Sequence, residues 1–90
     1  MSGGGCGPYE SGAQAARDAH VVYEAIRRPG SPVGAMDTVN RHRLLNACRE
    51  AGVVVGVYDR QVIAWLAGWE PETVQVVVGL IARARGRGAL

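Results

Sequence analysis

The side chains that could carry out chemistry are few, and their spacing does not favour catalysis. Histidines stand at positions 20 and 42 and cysteines at 6 and 48, and they form no CxxC, HxxxH or HExxH pattern. No serine lies in a nucleophile elbow. All ten residues counted as Lys or Arg are Arg, which excludes a P-loop and lysine-based catalysis. We therefore expect no enzyme, no metal, no cofactor and no small-molecule substrate.

Charge is nearly balanced, at +2, and a total this small does not by itself indicate nucleic-acid binding. The C-terminal end is locally basic, because Arg83, Arg85 and Arg87 lie in a stretch that contains no acid after Glu72. Such an end is usually a solvated tail. The alternative is that it holds phosphate groups.

Size and cysteine usage set further bounds. Ninety residues make one domain with a modest core, so a homodimer is plausible. Two cysteines in unrelated surroundings predict no disulfide framework, and the longest apolar run, 74–81, is too short to cross a bilayer. We expect a cytoplasmic protein that does not enter a membrane.

Apolar periodicity and capping residues predict an all-α fold, a small bundle of about four helices. Residues 1–10 are a Gly-rich stretch and are predicted to be a flexible tail, residues 11–85 form the domain, and residues 86–90 form a basic tail. Ser11 and Asp37 are predicted to cap the first two helices, and Gly52 to end the second. Asp59 is predicted to cap a third helix over 60–67, and Pro71 to open a fourth that ends near Arg85.

The segment between the second and third helices, residues 53–57, is rich in valine. We predict a buried connector, because a lone strand has nothing to pair with inside one chain. The alternative is a short strand that pairs with a second copy of the chain.

Residues 58–85 carry the pattern with the clearest functional meaning. Ile63-Ala64 is followed by Gly68 and then by Thr73-Val74, and in this spacing the segment resembles helix-turn-helix DNA-binding domains. Part of it is also similar to small actinobacterial proteins. The resemblance implies a left-handed turn at Gly68 and a regulatory protein that binds DNA or the transcription machinery, such as RNA polymerase. The contacts it favours are Arg60, Thr73, Gln75, Arg83, Arg85 and Arg87.

Other features of the same segment favour a protein partner. Glu70 and Glu72 lie in the turn that would approach DNA phosphates and would repel them. The last helix carries a second apolar stripe, Val76 and Leu80, which is either covered by the other helices or forms a homodimer or partner interface. The alternative function is therefore a protein-interaction module without nucleic-acid binding. Trp65 and Trp69, four residues apart, are predicted to be a core or hairpin clasp.

Overall fold

The computed structural model describes residues 7–88, and side chains within them up to position 85. These residues form helices joined by turns and connectors and contain no strand, which confirms the predicted all-α class. Its five helices are α1 (Gly12–Asp18), α2 (His20–Arg27), α3 (Ala35–Glu50), α4 (Val57–Leu66) and α5 (Pro71–Gly88).

Several helix ends follow from local chemistry and lie where the sequence predicts them. The Ser11 hydroxyl accepts a hydrogen bond from the backbone N–H of Gln14 at 3.3 Å, so Ser11 caps α1. Gly52 is left-handed, with φ of 75°, and the Val53 amide donates to the Cys48 carbonyl at 2.9 Å. This is a Schellman ending for α3. Pro71 is the first residue of α5, where its missing N–H costs nothing.

Other helix boundaries differ from the prediction. The predicted first helix is divided at Ala19, which has φ of −93° and ψ of 12°. The His20 Nδ1 atom lies 3.1 Å from the Arg17 carbonyl oxygen, so a side chain takes part in the last turn of α1. Helix α3 starts two residues before Asp37, with left-handed Gly34 as its N-cap. Helix α4 starts at Val57 because Asp59 accepts the Gly56 amide at 2.9 Å from inside the first turn.

Helix α5 is the centre of the packing. It contacts α1 on one side and α3 on another, while α2 and α4 each pack against α3. Helices α4 and α5 are not among the pairs in extensive contact, although they are joined by a short turn. The buried apolar residues are small, and the largest is a leucine: Ala15, Ala19, Val22, Leu44, Ala47, Ala67 and Val74.

Two buried amides connect the helices across this core. Asn40 of α3 is fully buried and donates to the carbonyls of Ala67 and Trp69, at 3.0 and 3.1 Å. Because buried polar groups are costly without partners, these bonds hold the turn between α4 and α5 against α3.

Gln75 of α5 is the second buried amide and lies within a polar network. Its Nε2 donates to the Tyr9 hydroxyl at 2.8 Å, and Tyr9 in turn donates to Asp18 at the same distance. The Arg43 guanidinium donates to the Gln75 carbonyl oxygen, and burial lowers the pKa of that guanidinium. Tyr9 lies within the predicted flexible tail, yet these contacts fix it to α1 and α5. Residues 1–6 of that tail lie outside the described residues.

Candidate functional site

The most unusual surface of the molecule is one side of α4. Tyr58, Val62, Trp65 and Trp69 are 75%, 39%, 63% and 46% exposed, respectively. They are spaced by four, three and four residues, which places the helical members on one stripe and continues it into the turn. We call these four residues the tryptophan face. Exposed Tyr and Trp side chains that lie together are a common feature of protein-binding surfaces.

The opposite side of α4 holds the helix in place. Helix α4 packs against α3, and its least exposed residues are Ile63 and Leu66. No residue of α4 itself is fully buried, although Ala67, directly after it, is. Helix α4 is therefore a rod attached along one side only.

The C-terminal end of the tryptophan face is rigidly arranged. The rings of Trp65 and Trp69 meet edge to face, with centroids 5.6 Å apart and an interplanar angle of 74°. The side-chain amide of Asn40 donates a hydrogen bond to the backbone carbonyl of Trp69 and so holds this part of the turn in place. The two rings touch, as the predicted core or hairpin clasp requires, and of these two alternatives the structure shows the hairpin form, since both rings are exposed.

The valines around the start of α4 are also exposed. Val53, Val54 and Val57 are all exposed, and Val54 retains 91% of its accessible area. The prediction of a buried connector is therefore wrong. Residues 53–56 adopt no strand. They cross the surface because α3 ends in a Schellman turn that directs the chain outward before α4 begins.

Gln75 and Thr73, two of the predicted DNA contacts, lie in different surroundings. Gln75 is 1% exposed and hydrogen-bonded within the core, so its amide is not presented to a ligand. Thr73 is exposed, and its hydroxyl donates to the Glu70 carboxylate at 3.2 Å. The sequence suggested Gln75 as a DNA contact because the helix-turn-helix resemblance places it on the second helix, where it is the side chain suited to reading a base.

The turn expected from the helix-turn-helix resemblance also differs. The described glycines with positive φ are Gly7, Gly30, Gly34 and Gly52, so Gly68 is not left-handed. The expectation of a left-handed turn there is wrong. Asn40 supplies what the turn needs instead, by donating to the carbonyls on either side of Gly68.

The predicted arginine contacts do not form one cluster. Arg60 is exposed and lines a groove of about 540 Å³ with His42 and Arg49. Arg83 donates to the Gly79 carbonyl at 3.2 Å, and Arg85 lies 3.7 Å from Glu50 in an exposed ion pair. The side chain of Arg87 lies outside the described residues.

The predicted partner residues on α5 are only partly available. Val76 is half-buried, and Leu80 is 54% exposed. They stand on a helix that both α1 and α3 contact extensively, whereas α4 makes its extensive contacts with α3 alone. Sequence reasoning missed Tyr58 and Val62, although the spacing of 58, 62, 65 and 69 was a signal that could have identified the face.

No protein-family model matches the chain, and neither a curated protein nor a solved structure matches it. Within residues 7–88, none of the helices has the length and apolar character that crossing a membrane requires. In the same part of the chain, no three His, Cys, Asp or Glu residues are grouped as a metal site would require.

Proposed function

We propose that this chain is a protein-interaction module that binds its partner through the tryptophan face of α4. The observation that carries the proposal is the exposure of Tyr58, Trp65 and Trp69 on a helix that is attached only by its other side. Tyr and Trp are the residues that contribute most to protein–protein affinity when they become buried.

The rigid placement of the face supports the same function. Binding costs less when the contact residues are already ordered. Asn40 holds the turn after α4, and the two indole rings fix each other through their edge-to-face contact. A partner would therefore meet a preformed surface.

The helix-turn-helix resemblance leaves DNA binding as the other candidate, and the placement of its residues gives it less support. Gln75, the one side chain suited to reading a base, is buried. Glu70 lies directly before α5 and Glu72 lies in its first turn, where a nucleic-acid backbone would approach.

Site-specific photo-crosslinking tests the proposal without requiring that the partner be identified beforehand. A photoreactive amino acid replaces Val62, at the centre of the face, and the protein is expressed in the organism that encodes it. We expect light-dependent adducts with protein, either this chain or another. Glu24, an exposed residue of α2, is the matched control position and should give none.

Two results would contradict the proposed function. One is the absence of any protein adduct at position 62. The other is an equal yield at positions 62 and 24, because indiscriminate crosslinking would show that the tryptophan face has no preferred role.

A further inference from the structure

The properties of the tryptophan face also specify its occupant, and we propose that this is the tryptophan face of a second copy of the chain. Two α4 helices then lie side by side about a two-fold axis. This inference rests on the proposed function, since it requires the face to be a docking surface.

The spacing of the face indicates that the occupant is a helix. Steps of four and three residues are the steps of the apolar seam along which two helices pack, with side chains of one inserting between those of the other. Tyr58, Val62 and Trp65 occupy such a seam on α4, and Trp69 continues the apolar surface into the turn. A second α4 offers a seam with the same steps.

The absence of charge in the face favours a copy of itself over an acidic or basic partner. None of the four residues is an Asp, Glu, Lys, Arg or His, and exposed Gln61 lies beside them on α4. An amide both donates and accepts hydrogen bonds, so two copies of Gln61 are compatible at a shared rim. In a two-fold interface the same patch occurs on both sides, so an apolar patch meets an apolar patch.

The exposed area approaches what a stable dimer buries. With Val57, which precedes Tyr58 on α4, the face exposes roughly 600 Å² of apolar surface, taking about 150 Å² for a fully exposed Val and about 250 Å² for Tyr or Trp, and exposed polar neighbours such as Gln61 add to the area that a partner would cover. Stable interfaces bury about 800 Å² on each partner, whereas the largest apolar patch on a typical monomer is about 300–600 Å².

The composition of the monomer core points the same way. Its buried apolar residues are alanines, valines and one leucine, while both tryptophans of the chain lie outside it. Small domains often need oligomerisation to bury enough apolar surface. Pairing of α4 buries the largest apolar side chains, which the monomer leaves in water.

The test is the solution mass of the purified full-length chain over a range of concentrations, measured by light scattering and sedimentation equilibrium. We expect twice the 9.5 kDa of one chain at micromolar concentrations. Trp65→Glu and Tyr58→Glu should each weaken the dimer about tenfold or more, because they place a charge inside the apolar interface. Far-UV circular dichroism should show that each variant keeps its helical content.

Leu80→Glu is the matched control, since it adds the same charge at an exposed apolar residue of α5. It should remain dimeric. Dissociation by Leu80→Glu with no effect of the two α4 variants would move the interface to α5 and overturn the inference. A wild-type chain that stays monomeric up to hundreds of micromolar would also overturn the inference. In that case, crosslinks between position 62 and another protein would still support the proposed function.

Discussion

Tyr23 shows how a single side chain can link two helices. Its hydroxyl donates to the carboxylate of Glu72, so α2 is connected to the first turn of α5. This hydrogen bond, together with burial and the negative charge of Glu72, raises the pKa of the Tyr23 phenol above its usual 10.0. Only the neutral phenol can donate, and an ionised phenolate would be repelled by the carboxylate.

A pH dependence of stability follows from this contact. Because the pKa of Tyr23 is higher in the folded state, the contribution of its contact is complete below about pH 10 and is lost as the pH rises through the folded-state pKa. We expect Tyr23→Phe to lower the free energy of unfolding by about 1 kcal/mol at pH 7. The deficit should shrink as the solution becomes more alkaline.

Urea denaturation followed by circular dichroism, between about pH 7 and 11, measures this change. Val21→Ala is a suitable control, since Val21 is an exposed residue of the same helix and has no ionisable group. Any change in stability that it causes should stay constant over this pH range. A Tyr23→Phe deficit that stays constant up to about pH 11 would contradict the assignment.

At the level of helices and turns, two glycines have different reasons to be where they are. Gly52 is left-handed with open space around it, so its backbone conformation alone requires glycine. Gly68 lies between α4 and α5 without a positive φ. A Cβ atom built there would meet the Trp65 carbonyl oxygen at 3.5 Å and a carboxylate oxygen of Asp37 at 3.9 Å, which are ordinary contacts.

The two positions should therefore respond differently to alanine. Gly52→Ala should lower the free energy of unfolding by about 1–2 kcal/mol, because it forces an L-residue into the left-handed region. Gly68→Ala should leave stability unchanged or raise it by up to about 1 kcal/mol, because it reduces the freedom of the unfolded chain. Thermal denaturation of the two variants beside the wild type measures both effects. A larger loss at Gly68 than at Gly52 would show that the turn has the left-handed form.

The sequence predicted those features of the helices that depend on neighbouring residues. Ser11, Gly52 and Pro71 act through their own backbone or through groups a few residues away, so they could be identified from the sequence. The all-α class followed from apolar periodicity in the same way.

Features that depend on distant residues could not be predicted from one sequence. The burial of Gln75 requires Tyr9 and Arg43, which lie 66 and 32 positions away. Asn40 meets the turn after α4 across 27 and 29 positions. Periodicity also identifies an apolar stripe without showing whether the stripe faces the core or the solvent, and for this reason the sequence alone leaves open whether Trp65 and Trp69 form a core clasp or a hairpin clasp.

For the molecule as a whole, the distribution of charge is the relevant property for nucleic-acid binding. The net charge is +2, and Arg85 is already opposite Glu50. Arg49 and Arg60 share a groove with His42, while Glu70 lies directly before α5 and Glu72 lies in its first turn. In the part of the chain whose side chains are described, basic and acidic groups are thus mixed, whereas a DNA-binding domain usually presents a clear basic patch.

We therefore expect only weak DNA binding. Fluorescence anisotropy with labelled mixed-sequence duplex DNA, measured over a salt series, should give a dissociation constant no tighter than about 10⁻⁴ M at physiological salt. Arg60→Ala should change this value little. Tight binding that falls steeply with salt and is lost in Arg60→Ala would favour the helix-turn-helix function instead.

Because the chain's two tryptophans both lie at α4, its intrinsic fluorescence is a local optical signal rather than a report on the core. Emission at longer wavelength would indicate indole rings in water, and a shift to shorter wavelength would indicate that α4 had been covered. Helical content, in contrast, comes from all five helices. The molecule thus contains two separable spectroscopic probes, one for association and one for folding, without any added label.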